Sequence, residues 1–98
     1  MKILRLPAVK AETGHRSHAS IYSAIKAGLY TKPVHIGPRS VGWPADEVHA
    51  INTARIAGKT DTEIRALVEN LHTNRGAYFA AMPSPIDAAS LINRHKNK

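Results

Sequence analysis

The sequence predicts a mainly α fold with a small β-hairpin and a C-terminal helical extension. Three observations favour it. The 98 residues suffice for one compact domain and are too few for two. Several segments carry the apolar spacing or the capping residues of helices. Between the second and third of these segments, two β-prone runs flank a turn-rich tetrapeptide.

The first two helices are short and are joined by a polar turn. Pro7 occupies a first helical position, and Gly14 supplies a natural stop. After the polar run His15-Arg16-Ser17, Ser17 has the side chain of an N-cap for a second helix over residues 18–27. Two short helices joined by such a turn are typical of a helix-turn-helix.

The second helix has an apolar and a polar face. Apolar residues at i, i+3, i+4 and i+8 predict the side that packs on the core: Ile21, Ala24, Ile25 and Leu29. The opposite side presents polar groups that can approach base edges and phosphates: His18, Ser20, Ser23 and Lys26. A simply solvated face is the alternative. Tyr22 suits a half-buried core position and a phosphate contact equally well.

A compact hairpin is predicted next. The runs 32–36 and 41–43 flank Gly37-Pro38-Arg39-Ser40. Arg39 at the tip has few carboxylates nearby, so a contact with a DNA backbone or minor groove competes with a solvated loop arginine. Trp43 is expected to anchor the hairpin in the core, with stacking on nucleic acid as the lesser alternative.

A third helix is expected from Pro44 to about Ala57, with three residues closing the core: Val48, Ile51 and Ile56. Thr60-Asp61-Thr62-Glu63 has the form of a capping box and predicts a fourth helix. Its apolar stripe comprises Ile64, Leu67, Val68 and Leu71, and its Arg65 and Glu69 are expected to pair across one turn.

The C-terminal part of the chain gives weaker signals. Asn74-Arg75-Gly76 is expected to interrupt the fourth helix, and the role of residues 77–82 stays open. Ser84-Pro85 would open a last helix before a basic tail, residues 94–98, that is expected to fray.

Charge is distributed unevenly along the chain. Residues 1–45 carry seven basic side chains against the single acid Glu12, residues 46–72 have a net charge of −2, and residues 73–98 have +3. A total of +7 indicates a polyanionic partner, and the segregation indicates that one face is used for phosphate.

Several classes of site are disfavoured. The absence of cysteine excludes a disulfide framework, a thiol nucleophile and a Cys-based zinc site, and it suits a reducing cytoplasm. The six histidines are dispersed, so no metal is expected. The paired acids, Asp46 with Glu47 and Asp61 with Glu63, lie in first turns of helices, where the helix dipole explains them. No enzyme activity, cofactor, signal peptide or membrane span is expected, and the protein is expected to be cytoplasmic.

An ordered set of residues resembles a known family. The set is Leu4-Arg5-Leu6-Pro7, Val9, Thr13-Gly14, Ile21-Tyr22, Ile25-Lys26, Gly28, Lys32-Pro33-Val34, Ile36-Gly37, Arg39-Ser40-Val41-Gly42-Trp43 and Glu47-Val48. Together these residues resemble the AlpA family of prophage regulatory proteins over about residues 3–57, and a likeness around residues 56–68 extends this to roughly residue 72.

The resemblance implies a winged helix-turn-helix of the MerR/excisionase-like type and no catalysis. It places the start of the recognition helix near residues 17–20 and the tip of the wing at residues 38–40. The residues expected to contact DNA are Arg16, Ser17, His18, Ser20, Tyr22, Ser23, Lys26, Lys32, Arg39 and Ser40. Two departures from the family pattern are one extra residue in the turn and Ser23 in place of a long basic side chain.

These observations predict a sequence-specific, double-stranded DNA-binding transcriptional regulator of a prophage or integrated mobile element. Residues 1–58 would bind DNA, and residues 59–98 would form a helical extension for oligomerisation or partner docking. The alternatives are an excisionase that bends attachment-site DNA and a protein-interaction module that works through its C-terminal helices. A second copy of the chain, an integrase or another regulator would be further partners. The aromatic content of 5% disfavours an RNA-stacking platform.

Overall fold

The computed structural model describes residues 2–81, which form four helices and three short strands. In chain order these are β1 (Ile3–Leu4), α1 (Leu6–Thr13), α2 (His18–Lys26), β2 (Val34–Gly37), β3 (Ser40–Pro44), α3 (Ala45–Ile56) and α4 (Asp61–Ala81). The strands form one antiparallel sheet in the order β1-β3-β2. The fold is therefore the predicted one, mainly helical and similar to a winged helix-turn-helix. The last helix and basic tail predicted from the sequence lie outside the described residues.

Local signals set the helix ends where the sequence predicts them. Pro7 lies in the first turn of α1, and Gly14 ends that helix in the left-handed conformation at φ 79°. The capping box of α4 is formed, since Thr60 donates its backbone N–H to Glu63 Oε1 at 2.9 Å and Glu63 donates to Thr60 Oγ1 at 3.2 Å. The hydrogen bond from the Thr60 backbone lowers the pKa of Glu63, so the cap remains charged at neutral pH.

The wing, defined here as β2, β3 and the turn between them, is the predicted hairpin. The strand β1 was not predicted; it pairs Ile3 with Pro44 and Leu4 with Trp43. A Cβ atom on Gly42 would lie 2.5 Å from Ile3 Cγ2, so glycine permits this close approach of β1 to β3. Two residues are too short a run to show the alternation of a strand.

Trp43 lies at the centre of the core, as expected. It is fully buried, and its indole N–H donates to the carbonyl oxygen of Thr31 at 2.9 Å. The other buried members of this cluster come from four helices and the segment after α2: Val9, Ile21, Tyr30, Val48, Ile51, Ile64 and Val68. The helix α4 therefore packs on its own chain.

The expectation that Ile56 closes the core is wrong, because its side chain is 88% exposed. At about 100° per residue, Ile56 lies roughly 140° around the helix from Ile51. It therefore points away from the face that Val48 and Ile51 bury, and the hydrophobic residue type alone did not reveal this.

Two expectations for α4 are also wrong. The helix continues through Asn74-Arg75-Gly76 to Ala81 without a break. A glycine costs a helix only about 1 kcal/mol, and the contacts that Arg75 makes with the rest of the chain oppose that cost. In the described part of the chain, Arg65 makes no ion pair with Glu69 and instead donates its Nε–H to the Ala27 carbonyl oxygen at 3.0 Å.

Candidate nucleic-acid interface

The helix α2 begins at a side-chain cap. The Ser17 hydroxyl accepts the backbone N–H of Ser20 at 3.2 Å, which satisfies one of the free donors of the first turn. Arg16, Ser17 and His18 are all exposed there. The positive end of the helix dipole thus lies at the surface with a basic side chain next to it, an arrangement that favours a phosphate group.

The outward side of α2 is a row of polar residues. His18, Tyr22 and Lys26 are four residues apart and therefore lie along one side of the helix. These three and Ser23 form what is called here the polar edge of α2, and all four are exposed. The opposite side is anchored by Ile21, which is fully buried. The polar edge is thus presented by a helix whose orientation is fixed by the core.

Ser20 differs from the other predicted contact residues of α2. Its hydroxyl lies 2.5 Å from His15 Nδ1, and its side chain is only partly exposed. The hydroxyl is therefore already used to hold the turn between α1 and α2. Sequence reasoning missed the role of His15, because a hydrogen bond across a turn depends on backbone geometry that residue types do not reveal.

Edge-on contacts join four rings next to the polar edge: Tyr22, Trp43, Tyr30 and His15. Tyr30 packs edge-on against Trp43, with ring centroids 6.5 Å apart, and against His15 at 6.2 Å. Tyr22 is 42% exposed and meets Trp43 edge-on at 6.4 Å, so it lies half in the core and half at the surface. Burial, assisted by the charge of Glu47, raises the pKa of the Tyr30 hydroxyl, which therefore stays neutral.

Arg39 lies at the tip of the wing, in the turn between β2 and β3, and is exposed. Ser40 follows as the first residue of β3, pairs with Gly37 and is half-buried. Lys32 lies in the segment that leads into the wing. Its side chain is exposed, whereas its backbone N–H donates to His72 Nε2 at 3.0 Å.

The basic side chains fall into two groups. Within residues 2–81 the ion pairs are Arg55–Asp61, Lys59–Glu63 and Arg75–Glu47, and their basic members all lie in the second half of the chain. Arg65, the other basic residue of that half in this range, donates to a backbone carbonyl oxygen instead. In the same range no ion pair neutralises the basic side chains of the first half: Lys2, Arg5, Lys10, Arg16, Lys26, Lys32 and Arg39. The positive charge available to a polyanion is therefore concentrated on the segments that carry α2 and the wing.

The carboxylates are used structurally. Asp46 and Glu47 lie in the first turn of α3, and Glu47 is 2% exposed and paired with Arg75. Asp61 and Glu63 lie in the first turn of α4 and pair with Arg55 and Lys59. In residues 2–81, no cluster of three or more His, Cys, Asp or Glu side chains has the arrangement of a metal site. None of the helices in that range combines the length and the apolarity required to cross a bilayer.

Comparison with known proteins gives one family. The family described as prophage CP4-57 regulatory protein (AlpA) matches residues 2–51. The matched range contains α1, α2, the whole sheet and the first part of α3, and it ends before α4. No curated protein and no solved structure matches the chain.

Proposed function

Because the chain belongs to the AlpA family of prophage regulatory proteins, we propose that it binds double-stranded DNA in a sequence-specific manner and regulates transcription in a prophage or another integrated element. The observation that carries this proposal is the exposed polar edge of α2 together with an arginine-tipped wing, both free of carboxylate partners in residues 2–81. The family is one of regulators, and no catalytic step is proposed.

The helix α2 enters the major groove in this proposal. That groove is wide enough for a helix and displays a distinct pattern of donors and acceptors for each base pair. His18, Ser23 and Lys26 are exposed on one side of α2 and supply hydrogen-bonding groups that can meet base edges. Arg16 and Ser17 at the start of the helix bind phosphate, and Tyr22 places its hydroxyl on the backbone beside the groove.

The wing and the segment before it hold the protein on the phosphates. Arg39 and Ser40 at the tip contact the backbone or the adjacent minor groove, and Lys32 adds a further phosphate contact. These contacts fix the register of α2 without reading sequence. Ser20 has a supporting part here, because its hydroxyl is bound by His15 and orients the first turn of the helix.

One helix of nine residues reads few base pairs, so high specificity requires several copies on adjacent sites or a partner bound alongside. The apolar residues of α4 that a partner helix would need, Ile64 and Val68, are buried in the protein's own core. This favours contacts through DNA-bound neighbours over a docking function carried by α4 alone.

The proposal is tested by selecting bound duplexes from a random pool and then measuring affinity at several salt concentrations. Arg39→Gln is expected to weaken all duplexes alike and to lower the slope of log K against log salt by about one. His18→Ala is expected to change the preference between sequences. Lys59→Gln is the matched control, since it removes the same charge from a residue that is ion-paired with Glu63, and both measurements should stay unchanged.

A parent protein that enriches no sequence, or equal effects of all three variants, would refute the proposed reading of DNA. The same selected duplex also distinguishes regulation from excision. Strong bending, measured by the mobility of circularly permuted fragments, together with stimulation of an integrase on attachment-site DNA would identify a recombination directionality factor.

A further inference from the structure

Three side chains of α4 hold the segment that connects α2 to the wing. Arg65 donates its Nε–H to the carbonyl oxygen of Ala27 at 3.0 Å, directly after the last turn of α2. His72 Nε2 accepts the backbone N–H of Lys32 at 3.0 Å, and Arg75 Nη2 donates to the Lys32 carbonyl oxygen at 2.6 Å. Both ends of the connecting segment are therefore bonded to one helix.

Arg75 is itself held in place by a buried carboxylate. Its Nε and Nη2 reach the two oxygens of Glu47, each at 2.7 Å, and Glu47 is 2% exposed. The planar guanidinium thus binds Glu47 of α3 and the backbone of Lys32 at once. A lysine in its place would keep the charge but lose this forked geometry.

The helix that makes these contacts lies beyond residues 2–51, the range matched by the family. It is nonetheless part of the same core, because Ile64 is fully buried and Val68 is 3% exposed. Since the apolar side of α4 is fixed by packing, its polar side chains provide a rigid support for the connecting segment.

We propose that Arg65, His72 and Arg75 are positioning residues that set the distance and angle between α2 and the wing, so that both engage one duplex. The inference rests on the proposed function for its consequence in DNA binding. Its structural part, the fixing of the wing relative to α2, holds without DNA. A 1 Å error in the placement of binding groups is enough to weaken recognition, so positioning residues act on affinity without touching the duplex.

The structural part is tested by spin labels on a chain that has no native cysteine. Labels at Ser23→Cys and Arg39→Cys report the distance between the polar edge of α2 and the tip of the wing. Arg75→Lys is expected to broaden the distance distribution relative to the parent. Arg55→Lys is the matched control, because it makes the same change in an exposed residue that pairs with Asp61, and it should leave the distribution unchanged.

A second pair of variants keeps the test decisive if Arg75→Lys does not fold. His72→Leu removes the acceptor for the Lys32 N–H and should broaden the same distribution. His72→Gln places an amide oxygen in reach of that N–H and should restore the narrow distribution. A role in stability alone predicts a change in the unfolding midpoint but not this difference in the width of a folded distribution.

The consequence for binding is measured on the unlabelled protein with the selected duplex. Arg75→Lys and His72→Leu are expected to lower affinity roughly 2- to 30-fold, the range for changes that act through positioning. If they act through the wing, the loss should shrink when Arg39→Gln is also present. Fully additive losses would overturn the link to the wing.

The two proposals can fail separately. Unchanged distance distributions in folded Arg75→Lys and His72→Leu would overturn the positioning role, whether or not the parent binds DNA. Broadened distributions in Arg75→Lys and His72→Leu, together with a parent protein that binds no duplex, would refute the proposed function and leave the positioning of α2 against the wing intact.

Discussion

Trp43 donates its indole N–H to the carbonyl oxygen of Thr31 at 2.9 Å, and both residues are fully buried. Trp43 belongs to β3, whereas Thr31 lies in the segment that follows α2. The hydrogen bond therefore ties the wing to the segment that follows α2 from inside the core. Hydrogen bonds from α4 to Ala27 and Lys32 hold the same segment near its two ends.

The first prediction concerns this hydrogen bond. Trp43→Phe leaves the Thr31 carbonyl without its partner and removes part of a large buried side chain. We expect a loss of about 2 to 4 kcal/mol in the free energy of unfolding, measured by urea denaturation. Ile56→Ala serves as the control, because Ile56 is 88% exposed and its truncation should change stability by less than about 0.5 kcal/mol. A larger loss at Ile56 than at Trp43 would contradict the assignment of the core.

The second prediction concerns the contact between β1 and β3. In Gly42→Ala the new Cβ would lie 2.5 Å from Ile3 Cγ2 and 3.0 Å from the Leu4 carbonyl oxygen. Because the second neighbour is backbone, β1 must move, and we expect a destabilisation of about 1 to 3 kcal/mol. Faster amide exchange at Ala45, whose N–H donates to the Lys2 carbonyl oxygen at 2.8 Å, should accompany it.

Gly37→Ala is the matched control for Gly42→Ala. Its Cβ would meet Ser40 Cβ at 3.6 Å, which is an ordinary contact. Stability and the exchange rate at Ala45 should both stay close to the parent values. Equal damage from the two substitutions would mean that the loss of glycine, and not the approach of Ile3, is responsible.

The sequence predicts those parts of the fold whose signals are local. The cap at Ser17, the stop at Gly14 and the capping box at Thr60 each need only residues a few positions away, and each is present in the structure. The exposure of the polar edge of α2 follows in the same way, because periodicity places Ile21 inside and the polar side chains outside.

The parts that sequence reasoning missed depend on distant partners. The strand β1 is defined by its pairing with β3, in which Ile3 lies opposite Pro44. The carboxylate that pairs with Arg75 belongs to Glu47, 28 residues away. Nothing local at Arg75 shows that Glu47 is buried and needs a cation. The contacts of α4 with Ala27 and Lys32 join residues 38 and 43 positions apart, so no local sequence pattern predicts them.

The third prediction tests the continuity of α4. Gly76 lies inside this helix without a positive φ, and a Cβ there would meet nothing within 4 Å. Gly76→Ala should therefore raise the free energy of unfolding by about 0.5 to 1 kcal/mol. Gly14→Ala has equally open surroundings but a φ of 79°, so it should be destabilising. A destabilising Gly76→Ala would contradict the continuity of α4 through this residue.

The fourth prediction concerns the pH dependence of stability through His72. Desolvation, followed by the charge of Arg75 and more weakly of Lys32, lowers the pKa of His72, while Glu47 and Glu69 oppose the shift. The imidazole therefore binds a proton more weakly in the folded chain than in the unfolded chain, so the unfolded state gains protons first on acidification. The stability that neutral His72 contributes is complete above about pH 6.5, which is the pKa of an unfolded histidine. It is lost as pH falls through the lower pKa of His72 in the folded chain. The free energy of unfolding, measured in urea between about pH 5 and 8, should fall more steeply toward acid in the parent than in His72→Gln. The amide oxygen of this variant accepts the Lys32 N–H at every pH. Parallel curves would show that the pKa of His72 does not change on unfolding.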